Sequence, residues 1–322
     1  MNFFSFARTL VALSVLTLLC GLASAQSPYP NRLIRMIVPF GSGGSTDALA
    51  RMIAQKLSEN LGQPVIVDNR TGGNTVVGAD ALVKSAPDGY TLYFVSVDHA
   101  VHGHFQPTPY HPVNDFAPVA TISYTQLLLV ANPALPVNNV QELITLGKSN
   151  LSALNIGTAG AQGVQHLTGD LFNGLAGTKM QQVPYRGGGP AMLDVMGGQI
   201  QLYFSIPLSA SPHIKSGKLK PIAITGLSRS SMFPNVPTFA EAGVQGMDVK
   251  VWFGMFAPSG TPKPVLERLN AEISRIIVAP DVKENLIAQG MEPYVTTGDE
   301  FAAMFKSEFA KWGRVVKSSA GK

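Results

Sequence analysis

The clearest candidate for ligand chemistry is a short loop, residues 40–46, that is rich in glycine and hydroxyl side chains. The apolar stretch Leu33–Phe40 precedes it, and Gly41-Ser42-Gly43-Gly44 lets a ligand approach the backbone closely. Ser45-Thr46-Asp47 then supplies three helix N-cap types, followed by apolar residues at helical spacing. Because a helix start carries free N–H groups and the positive end of the dipole, the loop predicts an anion site. The alternative is an ordinary strand-to-helix turn.

A group of four histidines, His99, His102, His104 and His111, raises the question of a metal site. Their spacing is loose, the region is rich in proline, and no cysteine or clear carboxylate pair accompanies them. We therefore expect surface or packing roles for these side chains and no bound metal.

Catalytic motifs are absent from the sequence. There is no Gly-x-Ser-x-Gly and no His-Glu-x-x-His, and residues 41–46 lack the lysine of a Walker loop. Asp47 and Asp98 could meet at one cleft, but Asp47 is more simply an early helix residue favoured by the dipole. His166, near a helix start, is expected to brace the fold. The sequence predicts binding without turnover and without a cofactor.

The N-terminus reads as a secretory signal peptide, residues 1–25. One arginine precedes an apolar run, and Ala23-Ser24-Ala25 supplies the small residues of a cleavage site after Ala25. Cys20, the only cysteine, lies inside this segment, and the bulky Leu19 before it argues against a lipoprotein signal. Nothing later in the chain offers eighteen consecutive apolar residues. A soluble, exported protein located in the periplasm is expected.

The charge balance argues against nucleic-acid and membrane-surface partners. The chain has 24 basic and 20 acidic residues, and the small excess of basic residues is dispersed rather than clustered. With 322 residues, the chain is long enough for two domains with real cores.

Strand-like and helix-like segments alternate along the chain, the pattern of a parallel α/β sheet. Ser96–Asp98 follows the strand predicted over Tyr90–Val95, and ligands in such sheets bind beyond the carboxyl ends of strands. A second Gly-rich turn, 157–163, is followed by a helix predicted over Val164–Leu175, and this repeats the arrangement around the first loop.

The division expected from these patterns is a first lobe of residues 26–126 plus 250–322 and a second lobe of residues 127–249. The chain would leave the first lobe near Leu127–Pro133 and return along Val249–Phe256, so these segments are the expected hinge.

The sequence resembles the periplasmic solute-binding proteins of tripartite tricarboxylate transporters, the Bug or TctC type, over essentially the whole mature chain. The motifs that carry the resemblance are Tyr29-Pro30, Ile37-Val38-Pro39-Phe40 with Gly43-Gly44 and Asp47, Leu61-Gly62-Gln63-Pro64-Val65, Ala86-Pro87-Asp88-Gly89-Tyr90-Thr91-Leu92, Val183-Pro184-Tyr185-Arg186-Gly187, Gly197-Gly198-Gln199, Pro234-Asn235-Val236-Pro237-Thr238 and Trp252-Phe253-Gly254.

The resemblance implies a type II-like, two-lobed α/β fold. Each lobe would be a mostly parallel sheet flanked by helices, and one small organic carboxylate would bind in the cleft between the lobes. It also implies a monomer that serves the membrane subunits of a transporter. The matching ligand-binding positions are Phe40, Gly41, Ser42, Gly43, Gly44 and Thr46 in the first lobe's loop, Ser96, Val97 and Asp98 after the later strand, and Thr158, Ala159, Gly160, Gly163, Val164, Gln165, Tyr185, Gly187, Ser205 and Ile206 in the second lobe.

Two departures from the family pattern bear on the ligand. Many relatives carry Ser or Thr where this chain has Gly163-Val164-Gln165, and many carry Asp or Asn where it has Ser205-Ile206. Because an ammonium group would need a carboxylate partner, an aromatic carboxylate or a dicarboxylate is expected rather than an amino acid. Two other functions stay open: a secreted enzyme acting in the same cleft, and a ligand sensor for a signalling partner.

Overall fold

The computed structural model describes residues 29–42, 45–149, 154–185 and 188–320. The predicted signal peptide with its cleavage site, and the predicted site residues Gly43, Gly44 and Gly187, lie outside the described residues. Within those ranges, no helix has both the length and the apolar character needed to cross a membrane.

The strands of the described chain are β1 (Ile34–Val38), β2 (Val65–Asn69), β3 (Thr91–Ser96), β4 (Phe116–Gln126), β5 (Leu128–Ala131), β6 (Asn155–Thr158), β7 (Gln181–Pro184), β8 (Leu202–Ser205), β9 (Lys220–Ile224), β10 (Lys250–Pro258) and β11 (Glu292–Pro293). The helices are α1 (Ser45–Leu61), α2 (Val76–Val83), α3 (Asp98–His102), α4 (Val140–Lys148), α5 (Val164–Ala176), α6 (Gly188–Met196), α7 (Pro207–Lys215), α8 (Lys263–Val278), α9 (Pro280–Ala288) and α10 (Gly298–Ala320).

The first sheet has the strand order β11-β4-β10-β3-β1-β2. Strand β1 is parallel to β2 and β3, whereas β10 is antiparallel to both β3 and β4. It follows that β1, β3 and β4 run in the same direction and end at the same edge of this sheet. From that edge the chain passes to the second sheet, because β5 begins two residues after β4 ends.

The second sheet has the order β7-β6-β8-β5-β9. Strand β6 is parallel to β7 and β8, and β5 is antiparallel to β8 and β9. Strands β6, β7, β8 and β9 therefore end at the edge where β5 begins. The carboxyl ends of strands in both sheets thus lie at the two edges that the crossing chain joins.

Two sheets flanked by helices confirm the two-lobed α/β class. Strands β1 to β4 of the first sheet and β6 to β9 of the second share one direction, as expected, whereas β10 and β5 run against their neighbours, so each sheet is mixed. The cause is the double crossing of the chain. Strand β10 comes from the second sheet and β5 from the first, so each runs away from the crossing edge. Each is therefore antiparallel to neighbours that end there.

One buried side chain, Thr225, connects the two points where the chain crosses between the sheets. Its hydroxyl accepts a hydrogen bond from the backbone N–H of Leu127 at 2.9 Å and donates one to the carbonyl of Val249 at 2.6 Å. Its own N–H donates to the Leu127 carbonyl at 2.9 Å. Leu127 lies between β4 and β5, and Val249 directly precedes β10, so Thr225 fixes the separation of the two crossing segments.

The long helix α10 packs on the first sheet and also contacts α5 of the second. Gly254 in β10 makes its close packing possible, because a Cβ atom there would lie 2.5 Å from the ring of Phe301. Phe301, Phe305 and Trp312 on this helix are all buried. Helix α10 therefore adds a second connection between the sheets.

The Thr225 hydroxyl gives a testable contribution to stability. Thr225→Val keeps the side-chain shape but leaves the buried Leu127 N–H and Val249 carbonyl without this partner, which we expect to cost about 1–3 kcal/mol. Thr225→Ser, which keeps the hydroxyl, is the matched control. Chemical denaturation of both variants checks this, and a valine variant as stable as the serine variant contradicts it.

Candidate ligand-binding site

The fold brings four of the predicted segments to the junction between the two sheets. The first loop, residues 40–46, follows β1, and Ser96–Asp98 ends β3. The second loop, residues 158–165, follows β6, and Ser205-Ile206 ends β8. Because these strands end at the edges joined by the crossing chain, we expect the segments of one sheet to face those of the other across the junction.

The start of the first loop, residues 40–42, is open to solvent. Phe40 is half-buried, whereas Gly41 and Ser42 are exposed. A Cβ atom added to Gly41 would meet no atom within 4 Å. Helix α1 begins at Ser45, as expected, and places Asp47 in its first turn. The N-terminal end of α1 therefore follows an accessible stretch of the loop.

The two ends of the first loop are held by a side chain that sequence reasoning missed. The Asn69 amide at the end of β2 donates to the Phe40 carbonyl at 2.9 Å and to Asp47 Oδ1 at 2.8 Å. Arg51 donates to Asp47 Oδ2 and to Asn69 Oδ1, each at 2.9 Å. The signal available in the sequence was the position of Asn69 directly before another glycine-containing stretch, residues 70–74.

The turn after β3 is tightly built. The Ser96 hydroxyl donates to the Asp98 carboxylate at 2.7 Å, and the Val97 N–H donates to the Trp252 carbonyl at 3.0 Å. Asp98 is half-buried and starts α3. The Asp98 carboxylate is thus fixed by a neighbouring hydroxyl, and the turn is joined to β10.

The second loop also leads into a helix start that lacks a capping side chain. The Thr158 hydroxyl donates to the Gly160 carbonyl at 2.8 Å and shapes the turn. Gly163 is the N-cap of α5, has an extended backbone with φ −90° and ψ 175°, and provides no side-chain hydrogen bond. The first N–H groups of α5 therefore have no cap from Gly163 and lie at the junction.

Two tyrosines support the second lobe's part of the site. The Tyr185 hydroxyl donates to Asp194 at 2.7 Å. Burial together with this hydrogen bond raises the pKa of Tyr185 to about 12. Tyr203 in β8 is buried, which raises its pKa to about 12 even though the Gln165 side chain lies close enough to lower it. Both hydroxyls therefore stay protonated at neutral pH.

Burial divides the described site residues into two groups. Val97, Thr158 and Ser205 are fully buried, and Thr46, Ser96 and Val164 nearly so. The residues with more accessible surface are Phe40, Gly41, Ser42, Asp98, Ala159, Gly160, Gly163, Gln165, Tyr185 and Ile206. Members of the second group can contact a ligand without rearrangement; ligand contact by the first group stays a prediction.

Comparison with known proteins decides the family. Residues 49–320 match the tripartite tricarboxylate transporter family receptor. The chain belongs to this receptor family. It is also 37% identical to the protein BugT of Bordetella pertussis over 322 residues, which cover 98% of each chain.

Solved structures agree with the sequence comparison. A Rhodopseudomonas palustris protein solved with adipate is 31% identical, with a TM-score of 0.79 and coverage of 91% of this chain and 98% of that one. MatC from the same organism, solved with bound malate, is 33% identical, with a TM-score of 0.75 and coverage of 89% and 100%. Family members with solved structures are periplasmic binding proteins.

Three of the four clustered histidines, His99, His104 and His111, make separate contacts, and the fourth, His102, is buried. His99 Nε2 lies 3.1 Å from the Pro112 carbonyl, and its ring stacks on Phe305 with an interplanar angle of 13°. His104 Nε2 lies 2.8 Å from the Phe309 carbonyl, and His111 accepts backbone hydrogen bonds in its own turn. Within the described ranges, no three His, Cys, Asp or Glu residues are grouped to hold a metal ion.

Burial of His99 predicts a pH dependence of stability. Burial lowers the pKa of His99 to about 3, whereas the unfolded chain has the ordinary value of about 6.5. Protons therefore bind the unfolded state more strongly, and stability falls as pH drops below 6.5. Between pH 7 and pH 5 we expect a loss of about 2 kcal/mol from this group.

Denaturation at the two pH values, with the variant His99→Phe, isolates the effect. The variant should lose less stability than the wild type on acidification, because it has no imidazole to protonate. Equal pH dependence in the wild type and His99→Phe contradicts the assignment.

Proposed function

We propose that this chain is the periplasmic receptor of a tripartite tricarboxylate-type transporter, and that it captures a small dicarboxylate between its two lobes. The observation that carries the proposal is the pair of Gly-rich loops, 40–46 and 158–165, at the two sheet edges joined by the crossing chain. Each loop leads into a helix start, and each start can hold one carboxylate through backbone N–H groups.

The charges of the site residues support an anionic ligand held without a formal cation. The named ligand-binding positions include no lysine, arginine or histidine. Burying a carboxylate is costly unless several donors reach it, and helix-start N–H groups provide such donors. Adipate and malate, the acids bound by the two solved relatives, both carry two carboxylates, which favours a dicarboxylate over an aromatic monocarboxylate.

We assign the discrimination between different acids to residues of the second lobe. Gln165, Ser205 and Ile206 offer an amide, a buried hydroxyl and an accessible apolar side chain. Asp98 is the one carboxylate among the proposed ligand contacts, and its hydrogen bond from Ser96 leaves it less available to an ammonium group. An amino acid is therefore expected to bind more weakly than a dicarboxylate of the same length.

We propose that the ligand is captured when the two lobes close on it. The lobes are divided at residues 126–127 and 249–250, and the hinge consists of the two crossing segments that Thr225 connects. Further contacts join the lobes beyond this hinge: the Ser231 hydroxyl donates to Glu292 at 2.8 Å, and a Cβ atom added to Gly290 would lie 3.1 Å from the Met232 side chain. The receptor is proposed to be an exported monomer whose partners are the membrane subunits of the transporter. A ligand favours the closed state by its differential affinity.

Native mass spectrometry of protein purified without denaturation tests the function. The expected result is a bound small acid that is released chemically unchanged. A recovered product instead of the acid supports the alternative of an enzyme, and a co-purifying sensor kinase supports the alternative of a signalling receptor.

A thermal-shift panel with adipate, malate and aspartate, each with small-angle scattering, completes the test. We expect stabilisation and compaction with at least one dicarboxylate that is not an amino acid. Stabilisation by aspartate alone contradicts the proposed ligand class, and tight binding without compaction contradicts closure.

A further inference from the structure

We infer that Asn69 is a positioning residue for ligand binding: its side-chain amide holds Phe40 and Asp47, which flank the first loop, in the relative position that lets N–H groups between them meet a carboxylate. The inference rests on the proposed function. Asn69 lies at the end of β2, paired in register with Val38, the last residue of β1. The side chain therefore lies beside the point where the first loop leaves the sheet.

The Asn69 amide spans the whole first loop. One Nδ2 hydrogen bond reaches the Phe40 carbonyl, where the loop begins, and the other reaches Asp47, in the first turn of α1. The chain between these two acceptors contains three glycines, Gly41, Gly43 and Gly44, and glycine is the residue type that restricts the backbone least. A single planar group thus sets the distance between the two ends of the loop.

The orientation of the amide is itself determined by its neighbours. Arg51 donates to Asn69 Oδ1, which directs the carbonyl toward Arg51 and the NH₂ group toward Phe40 and Asp47. In the reversed orientation, Oδ1 would oppose two acceptors and NH₂ would oppose a guanidinium. The nearly buried Asp47 carboxylate is paired with Arg51 and does not carry an uncompensated charge toward the ligand.

Packing does not replace these hydrogen bonds in the described part of the loop. Gly41 and Ser42 are exposed, and an added Cβ at Gly41 would meet empty space. A loop that must be ordered by the ligand binds it more weakly, because the ordering entropy opposes binding. Loss of the Asn69 amide is therefore expected to lower the affinity for every ligand that uses the first loop by a similar factor.

The test compares Asn69→Leu and Asn69→Asp with the wild type by calorimetric titration of adipate and malate. Asn69→Asp retains an acceptor for Arg51 but loses both donor bonds, so it decides the question if Asn69→Leu does not fold. We expect both variants to bind the acids about tenfold more weakly, with the adipate-to-malate affinity ratio unchanged. Ligand should also no longer slow hydrogen exchange at amides 41–46 to the wild-type extent.

Asn132→Leu is the matched control, because the Asn132 amide also holds backbone groups, the carbonyls of Val195 and Met196, at a place away from the first loop. It should reduce stability and leave both affinities within about twofold of the wild type. Asn69 variants that bind and exchange like the wild type overturn the inference, as does equal weakening in Asn132→Leu. A wild type that binds neither acid contradicts the proposed dicarboxylate function instead.

Discussion

A carboxylate that leaves water must regain the hydrogen bonds that water supplied, and this requirement shapes the receptor. The residues assigned to the site include no positively charged side chain, so backbone N–H groups at helix starts are the proposed donors. Backbone donors serve this purpose only when the loop that carries them has a defined shape. In the first lobe that shape depends on Asn69, Asp47 and Arg51, none of which needs to touch the ligand.

The second requirement is that two such loops reach one place. The strand directions provide this, because the chain crosses between sheets twice and each crossing strand runs antiparallel to neighbours that end at the crossing edge. The Thr225 hydroxyl joins the two crossing segments, and α10 contacts both lobes. A small set of buried contacts therefore holds the two sheets together where the ligand cleft and its closing axis are proposed.

The sequence predicted those elements whose signals are local. Helix α5, predicted over Val164–Leu175, runs over Val164–Ala176, and strand β3, predicted over Tyr90–Val95, runs over Thr91–Ser96. Strand β4 was missed, because its polar Thr and Ser residues become buried only through antiparallel pairing with β10, more than a hundred residues later in the chain. Helix α7 was also missed, since it contains Pro212 and has little amphipathic pattern.

The candidate site also contains some features that local sequence signals predict and others that depend on contacts between distant parts of the chain. The first loop, its helix start and the repeated second loop follow from glycines and N-cap residues in the sequence. The role of Asn69 does not, because it depends on register between β1 and β2 and on a side chain reaching across the loop. The burial of His99 among aromatic rings from distant segments is likewise a property of tertiary packing.

The most direct measurement of the central claim is a crystal structure of the receptor with adipate or malate bound. The account predicts that the ligand lies between the two lobes, with carboxylate oxygens about 3 Å from backbone nitrogens of residues 41–46. It also predicts that no lysine or arginine side chain is closer to that carboxylate. A ligand outside the junction of the lobes, or a carboxylate paired directly with a cationic side chain, would contradict it.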